Sequence, residues 1–171
     1  MSLQASASSI KDALASYLAW LKEIDEEDFV KPPPLGGWSY SEVFCHVIQV
    51  NVRSMLAVER CIYARSGHRS SGPNLMARLI LYMGKFPPVK IKAHPKVSSI
   101  VKIVSKEEAK NDMLVFCNKI QDLLPKLTKV PLHQRTRHAR LGMLNCEEWL
   151  KFIDIHTRHH LKQLERIRKS S

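Results

Sequence analysis

NCEEWLKFIDIHTRHHLKQLERI, residues 145–167, places three of the chain's eight histidines within five residues: His156, His159 and His160. An α-helix advances about 1.5 Å and about 100° per residue, so side chains four apart stand nearly one above the other. His156 and His160 therefore share a face one turn apart, the spacing with which a helix presents two imidazoles to one metal ion. His159 lies on the adjacent edge of that face and competes for the same role. Histidine pairs at this spacing also arise on solvated faces, so the reading turns on whether the chain supplies a third ligand.

Outward from this stretch, Asn145 with Glu148 three residues on forms a capping box at the start of the last helix. Three more long helices are legible upstream. Residues 8–25 carry Ile10, Leu14, Tyr17, Leu18 and Leu21 at helical spacing, opened by a loose box of Ser9 and Asp12. That helix yields to an acidic patch and then to KPPPLGGW, residues 31–38, whose three prolines and two glycines cannot continue a helix and form a loop that delivers Trp38. Ser39 and Glu42 box the second long helix, whose apolar stripe includes Val43, Val47, Val50, Val58 and Cys61. Ser105 and Glu108 open the third, with Met113, Phe116, Ile120 and Leu123 on one face and Pro125 expected to end or kink it. Between the second and third, composition gives a loop at 65–75, a short helix at 75–83 and an irregular, partly extended connection at 84–104. His68 and His94 fall there and read as surface residues. The linker 128–144 is basic and turn-rich, and no strong strand pattern occurs anywhere. The expectation is an all-α four-helix bundle, a single domain over residues 1–171.

At 171 residues and 44% hydrophobic, the chain can bury a core of its own. No apolar run approaches the roughly 20 residues of a membrane helix, and the N-terminus lacks the basic start and apolar core of a secretory signal. A cytoplasmic location, with no membrane as a partner, is expected. Cys45, Cys61, Cys117 and Cys146 are widely spaced with no Cys-x-x-Cys pair, which argues against a zinc ribbon or a thioredoxin-type site. They read as structural residues, although the helix dipole could lower the pKa of Cys146. The net charge of +11, from 27 basic and 16 acidic residues, could attract nucleic acid, an acidic membrane surface or an anionic substrate. The charge is dispersed without interleaved aromatics, so nucleic acid is disfavoured against a solvated basic surface.

His46 lies beside Val43 and Val50 on the second helix. Alone it reads as a core or boundary histidine, and its meaning changes only if it faces His156 and His160. Here a resemblance contributes. GGWSYSEVFCHVIQ, residues 36–49, resembles the second-helix signature of the DinB/YfiT-like superfamily: a tryptophan, a Ser/Thr cap, an acidic residue and a histidine. HARLGMLNCEEWLKFIDIHTRHHLKQLERI, residues 138–167, resembles its C-terminal signature. The resemblance spans roughly residues 8–168. It implies a four-helix bundle with a metal held between the second and fourth helices by His46, His156 and His160. His159 matches a position that accompanies the ligands. His138 stands where the family often has His-Pro, but Ala139 replaces the proline.

Three neutral imidazoles leave coordination positions open, the mark of a catalytic rather than a structural site. An ion so held can activate water or bind a thiolate. The resemblance implies both hydrolysis and S-transfer of low-molecular-weight thiols. Nickel or zinc is expected foremost, with iron and manganese also compatible with histidine ligation. Glu42, one turn before His46, is either an acceptor orienting that ring or simply the helix cap, and the cap is favoured. Gln163, about a turn after His160, either meets substrate or is solvated. The expected function is a metal-dependent enzyme acting on a small molecule, a hydrolase or a thiol S-transferase. The competing readings are a non-catalytic metal-binding bundle and a basic module for polyanions. The resemblance also implies pairing of two copies.

Overall fold

Ser2 accepts a hydrogen bond from the Ala5 amide and opens α1, Leu3–Glu23, in the computed structural model, which describes residues 2–34, 36–63, 71–87 and 100–170. The helix starts earlier than the periodicity of residues 8–25 indicates. Leu3, Ser6 and Ala7 carry its buried stripe back to the cap, and Ser9 donates to Asp154 instead of capping. A five-residue helix α2, Glu26–Val30, occupies the acidic patch that follows α1 and buries Phe29 against Phe44, ring centroids 5.4 Å apart.

The long helix α3, Tyr40–Tyr63, opens with its capping box closed in both directions. The Glu42 amide donates to Ser39 Oγ at 3.2 Å, and the Ser39 amide donates to Glu42 Oε2 at 2.8 Å. α4, Leu75–Met83, has the expected bounds, with Asn74 as its N-cap and Gly84 in the left-handed conformation after it. α5, Lys106–Leu127, begins at Ser105; the Glu108 carboxylate pairs with Lys102 at 3.0 Å instead of completing the box. Pro125 neither breaks this helix nor ends it at once, because it stands in the last turn before the cap at Thr128. The final helix is α6, Cys146–Ser170, boxed by Asn145 and Glu148 through bonds of 2.9 Å in each direction.

α1 and α3 each pack against both α5 and α6, which gives the four-helix bundle. The apolar stripes meet in one core built on Tyr17, Phe44, Met55, Phe116 and Leu150. A buried polar seam sets the register of the helices. Tyr17 donates to the Thr157 carbonyl at 3.0 Å, and Asn51 donates to Thr157 Oγ1 at 2.9 Å. α1 and α3 are thereby tied to α6 at the residue that follows His156. Buried polar groups demand such partners, so slipping α3 along α6 would cost the buried Asn51 amide its acceptor.

The basic linker contains a β-hairpin that the sequence pattern does not announce. β1, Arg135–His138, pairs antiparallel with β2, Gly142–Asn145, with His138 opposite Gly142. His138 Nδ1 closes the turn by accepting from the Arg140 and Leu141 amides, both at 3.1 Å. Gly142 has φ +87°, and a Cβ there would lie 2.8 Å from the Gly72 carbonyl oxygen, so the position admits no side chain. The Met143 amide donates to that same oxygen, which bonds the approach to α4 onto the hairpin. His68 and His94 lie outside the described residues. No helix among the described residues is long and apolar enough to cross a membrane.

Candidate metal centre

α3 and α6 bring His46, His156 and His160 together inside the bundle. Their rings are 5.2, 4.6 and 4.6 Å apart by centroid, and one ring nitrogen from each lies within 4.8 Å of the others. All three are buried. His46 Nε2 and His156 Nε2 are 3.2 Å apart. The third ring is oriented through its other nitrogen: His160 Nδ1 donates to Gln163 Oε1 at 2.7 Å, leaving the Nε2 lone pair available.

Burial disfavours the charged form of each ring. It pushes His46 down to about 4, with His159 adding repulsion. His160 is pushed down to about 3, chiefly by burial and then by His46, against the opposing bond to Gln163. His156 falls well below the usual histidine range, from burial first and then the neighbouring imidazoles. The cluster is therefore neutral at pH 7, the protonation state that ligation requires.

The donor set fits a divalent ion. Two nitrogens at about 2.0–2.1 Å from a tetrahedral ion stand about 3.3 Å apart, close to the 3.2 Å between His46 and His156. With both rings protonated on Nδ1, two lone pairs would face each other across that gap, and a cation between them removes the repulsion. The Nδ1 atoms of His46 and His156 are buried and meet no hydrogen-bond partner among the described residues. Of the three rings, only His160 has its outer nitrogen anchored there.

Aromatic rings wall the cluster. Trp38 packs on His46 at 4.8 Å, and Phe152 stacks on His156 at 5.8 Å. Phe86 packs edge-on against His159 at 5.2 Å and Phe152 at 6.3 Å. His159 itself is half-buried at the rim, 5.1 Å from the His160 ring, and stands outside the three-nitrogen cluster. His138 is likewise outside it. Its Nδ1 holds the hairpin turn and its ring packs on Trp149 and Phe152. Glu42 Oε2 serves the Ser39 amide and hydroxyl, so its carboxylate works as the helix cap. Cys146 departs from the dipole expectation: burial outweighs the helix start and pushes its thiol up to about 11. Phe152 and Phe86 are the wall residues that sequence reading missed. Phe152 precedes His156 by one helical turn and carried a usable signal; Phe86 lies in an irregular segment and carried none.

A four-helix bundle with three buried histidines converging from α3 and α6 is the class of protein that these features define. The sequence profile of the DinB superfamily matches residues 9–164, and the chain belongs to that superfamily. Among solved structures, it is similar to TT2238, a four-helix bundle protein, with TM-score 0.53 and 19% identity over 96% of this chain and 99% of that one. It is also similar to a mutant of the mycothiol-dependent maleylpyruvate isomerase, with TM-score 0.52 and 14% identity over 94% of this chain and 60% of that one. At these identities the likeness concerns the fold alone. No curated protein matches the sequence significantly.

Proposed function

We propose that this protein is a metal-dependent enzyme acting on a small molecule, with His46, His156 and His160 holding one divalent ion, nickel or zinc foremost. The observation that carries the reading is the convergence of three buried, neutral imidazoles with two Nε2 atoms 3.2 Å apart. Bound there, such an ion supplies Lewis acidity toward water or a thiol at its open positions. The chain's own residues do the rest. Gln163 fixes the tautomer and direction of His160. Trp38 and Phe152 cover the flanks of His46 and His156 and limit the water that reaches them. His159 is kept neutral at pH 7 by burial and by Arg166 and Lys162, so it can accept a proton from a guest at the rim. A low-molecular-weight thiol is the favoured guest, supported by the fold likeness to a mycothiol-dependent isomerase and by the affinity of borderline-soft ions for sulfur.

Elemental analysis of protein purified without chelators tests the site directly. About one metal per chain is expected, lost in His46→Ala and in His156→Ala while each variant stays folded. Metal-free wild type that takes up neither nickel nor zinc would end this reading. Thiol transfer is then separated from hydrolysis by assaying the loaded protein with small thiols and with esters and amides.

A further inference from the structure

A divalent ion held by three neutral imidazoles keeps its full charge, and this chain brings no carboxylate to offset it. All sixteen aspartates and glutamates lie among the described residues, and none belongs to the three-nitrogen cluster. The three carboxylates nearest in sequence to the ligands are occupied or turned away. Glu42 serves the cap of α3. Asp154, two residues before His156, is buried and accepts from Ser9 at 2.6 Å and from Arg158 at 2.9 and 2.6 Å. Glu165 is exposed and stands about 140° round α6 from His160. The outer partner of His160 is the uncharged amide of Gln163. Trp38 and Phe152 wall the rings with apolar surface, where an unbalanced charge is costly. The balancing charge has to arrive with the guest.

The rim carries more charge of the same sign. His159, Lys162 and Arg166 follow at i, i+3 and i+7 along α6, on one edge of the helix beside the ligand face. Helical side chains tilt toward the N-terminus, so both long cations lean back toward His159. Their charge is felt there: after burial, Arg166 and then Lys162 lower His159, and Arg166 also contributes at His160. Both side chains are exposed, and neither forms an ion pair among the described residues. Glu165, the acid between them in sequence, points about 100° away from Arg166. Two unpaired cations about one and two turns past His159 make a landing place for an anionic group several bonds from the atom that reaches the cluster.

We propose that the small molecule taken up at this centre is anionic: a low-molecular-weight thiol bearing a carboxylate, with Arg166 and Lys162 holding the carboxylate at the rim. The proposal rests on the metal reading of the three histidines and names the charge of the guest. Arg166 and Lys162 are binding residues, set apart from the groups that meet the ion.

Calorimetric titration of zinc-loaded protein with 6-mercaptohexanoate and with 6-mercaptohexanol tests it, since the two probes share length and thiol and differ only at the far end. Wild type should bind the acid at least about tenfold more tightly than the alcohol, and the ratio should shrink as salt rises. Lys162→Gln/Arg166→Gln should bring the ratio close to one while zinc stays at one per chain by elemental analysis. Arg166→Lys should retain a clear preference for the acid, because charge carries it. Zinc-loaded wild type that binds the two thiols equally, or binds neither, overturns the proposal and leaves the metal reading standing, as does a double variant with undiminished preference. Protein that takes up neither zinc nor nickel ends the metal reading and this proposal together.

Discussion

Replacing Gln163 with leucine isolates the one outer-nitrogen contact that, among the described residues, orients a ring of the cluster. Gln163 Oε1 accepts from His160 Nδ1 at 2.7 Å, and His160 is buried while Gln163 is half-exposed. Gln163→Leu leaves a buried N–H without its acceptor, a loss of about 1–3 kcal/mol. Partners of this kind are worth about 10- to 100-fold in metal affinity. Water can partly reach a half-exposed position, so the lower part of that range applies, about 10- to 30-fold. Gln163→Glu keeps an acceptor and adds a charge that favours the ligated ring, so zinc affinity should equal or exceed that of wild type. The assay is competition for zinc against a chromophoric chelator at neutral pH, with melting of the chelated proteins as a control for folding. Gln163→Leu binding zinc as tightly as wild type would refute the reasoning, for it would mean that His160 does not ligate through the nitrogen opposite its amide contact.

Three other outcomes are expected. The chelated protein should lose stability as pH falls from about 6.5 toward 4. The folded-state pKa of His46 is about 4 against 6.5 when unfolded, so the unfolded chain binds more protons in that window; His46 alone contributes up to about 3 kcal/mol, present above pH 6.5 and lost on the way down. Denaturant melts at pH 7.5 and 4.5 check this, and equal midpoints would contradict it. Gly142→Ala should destabilise by about 2 kcal/mol or more, read from urea midpoints, because φ is +87° and the new Cβ meets the Gly72 carbonyl at 2.8 Å. Glu42→Ala should cost about 1 kcal/mol of stability through its cap while leaving zinc affinity unchanged; a large drop in affinity would give that carboxylate a role at the metal.

What could be read from the sequence divides along the line between periodicity and long-range geometry. The capping boxes at Ser39 and Asn145 and the stripe of α3 needed only neighbours within a turn or two, and they appear in the structure where the sequence puts them. The face shared by His156 and His160 was legible for the same reason. That His46 meets them was not, because no local rule sets the register of α3 against α6. The resemblance to the superfamily supplied that expectation, and physically that register is marked by Asn51 of α3 donating to Thr157 of α6. The hairpin was illegible for a different reason. RTRH has no apolar alternation, and its pairing depends on a histidine side chain closing the turn and a glycine lying against residue 72, 70 positions earlier. The same holds for α4. Its bounds follow from Asn74 and Gly84, but which of its apolar residues would be left outside depends on where the hairpin and Phe86 pin its ends. The helices thus carry a histidine cluster whose components are written locally, whereas the hairpin and the segment around Phe86 beside it owe their shape to contacts far along the chain.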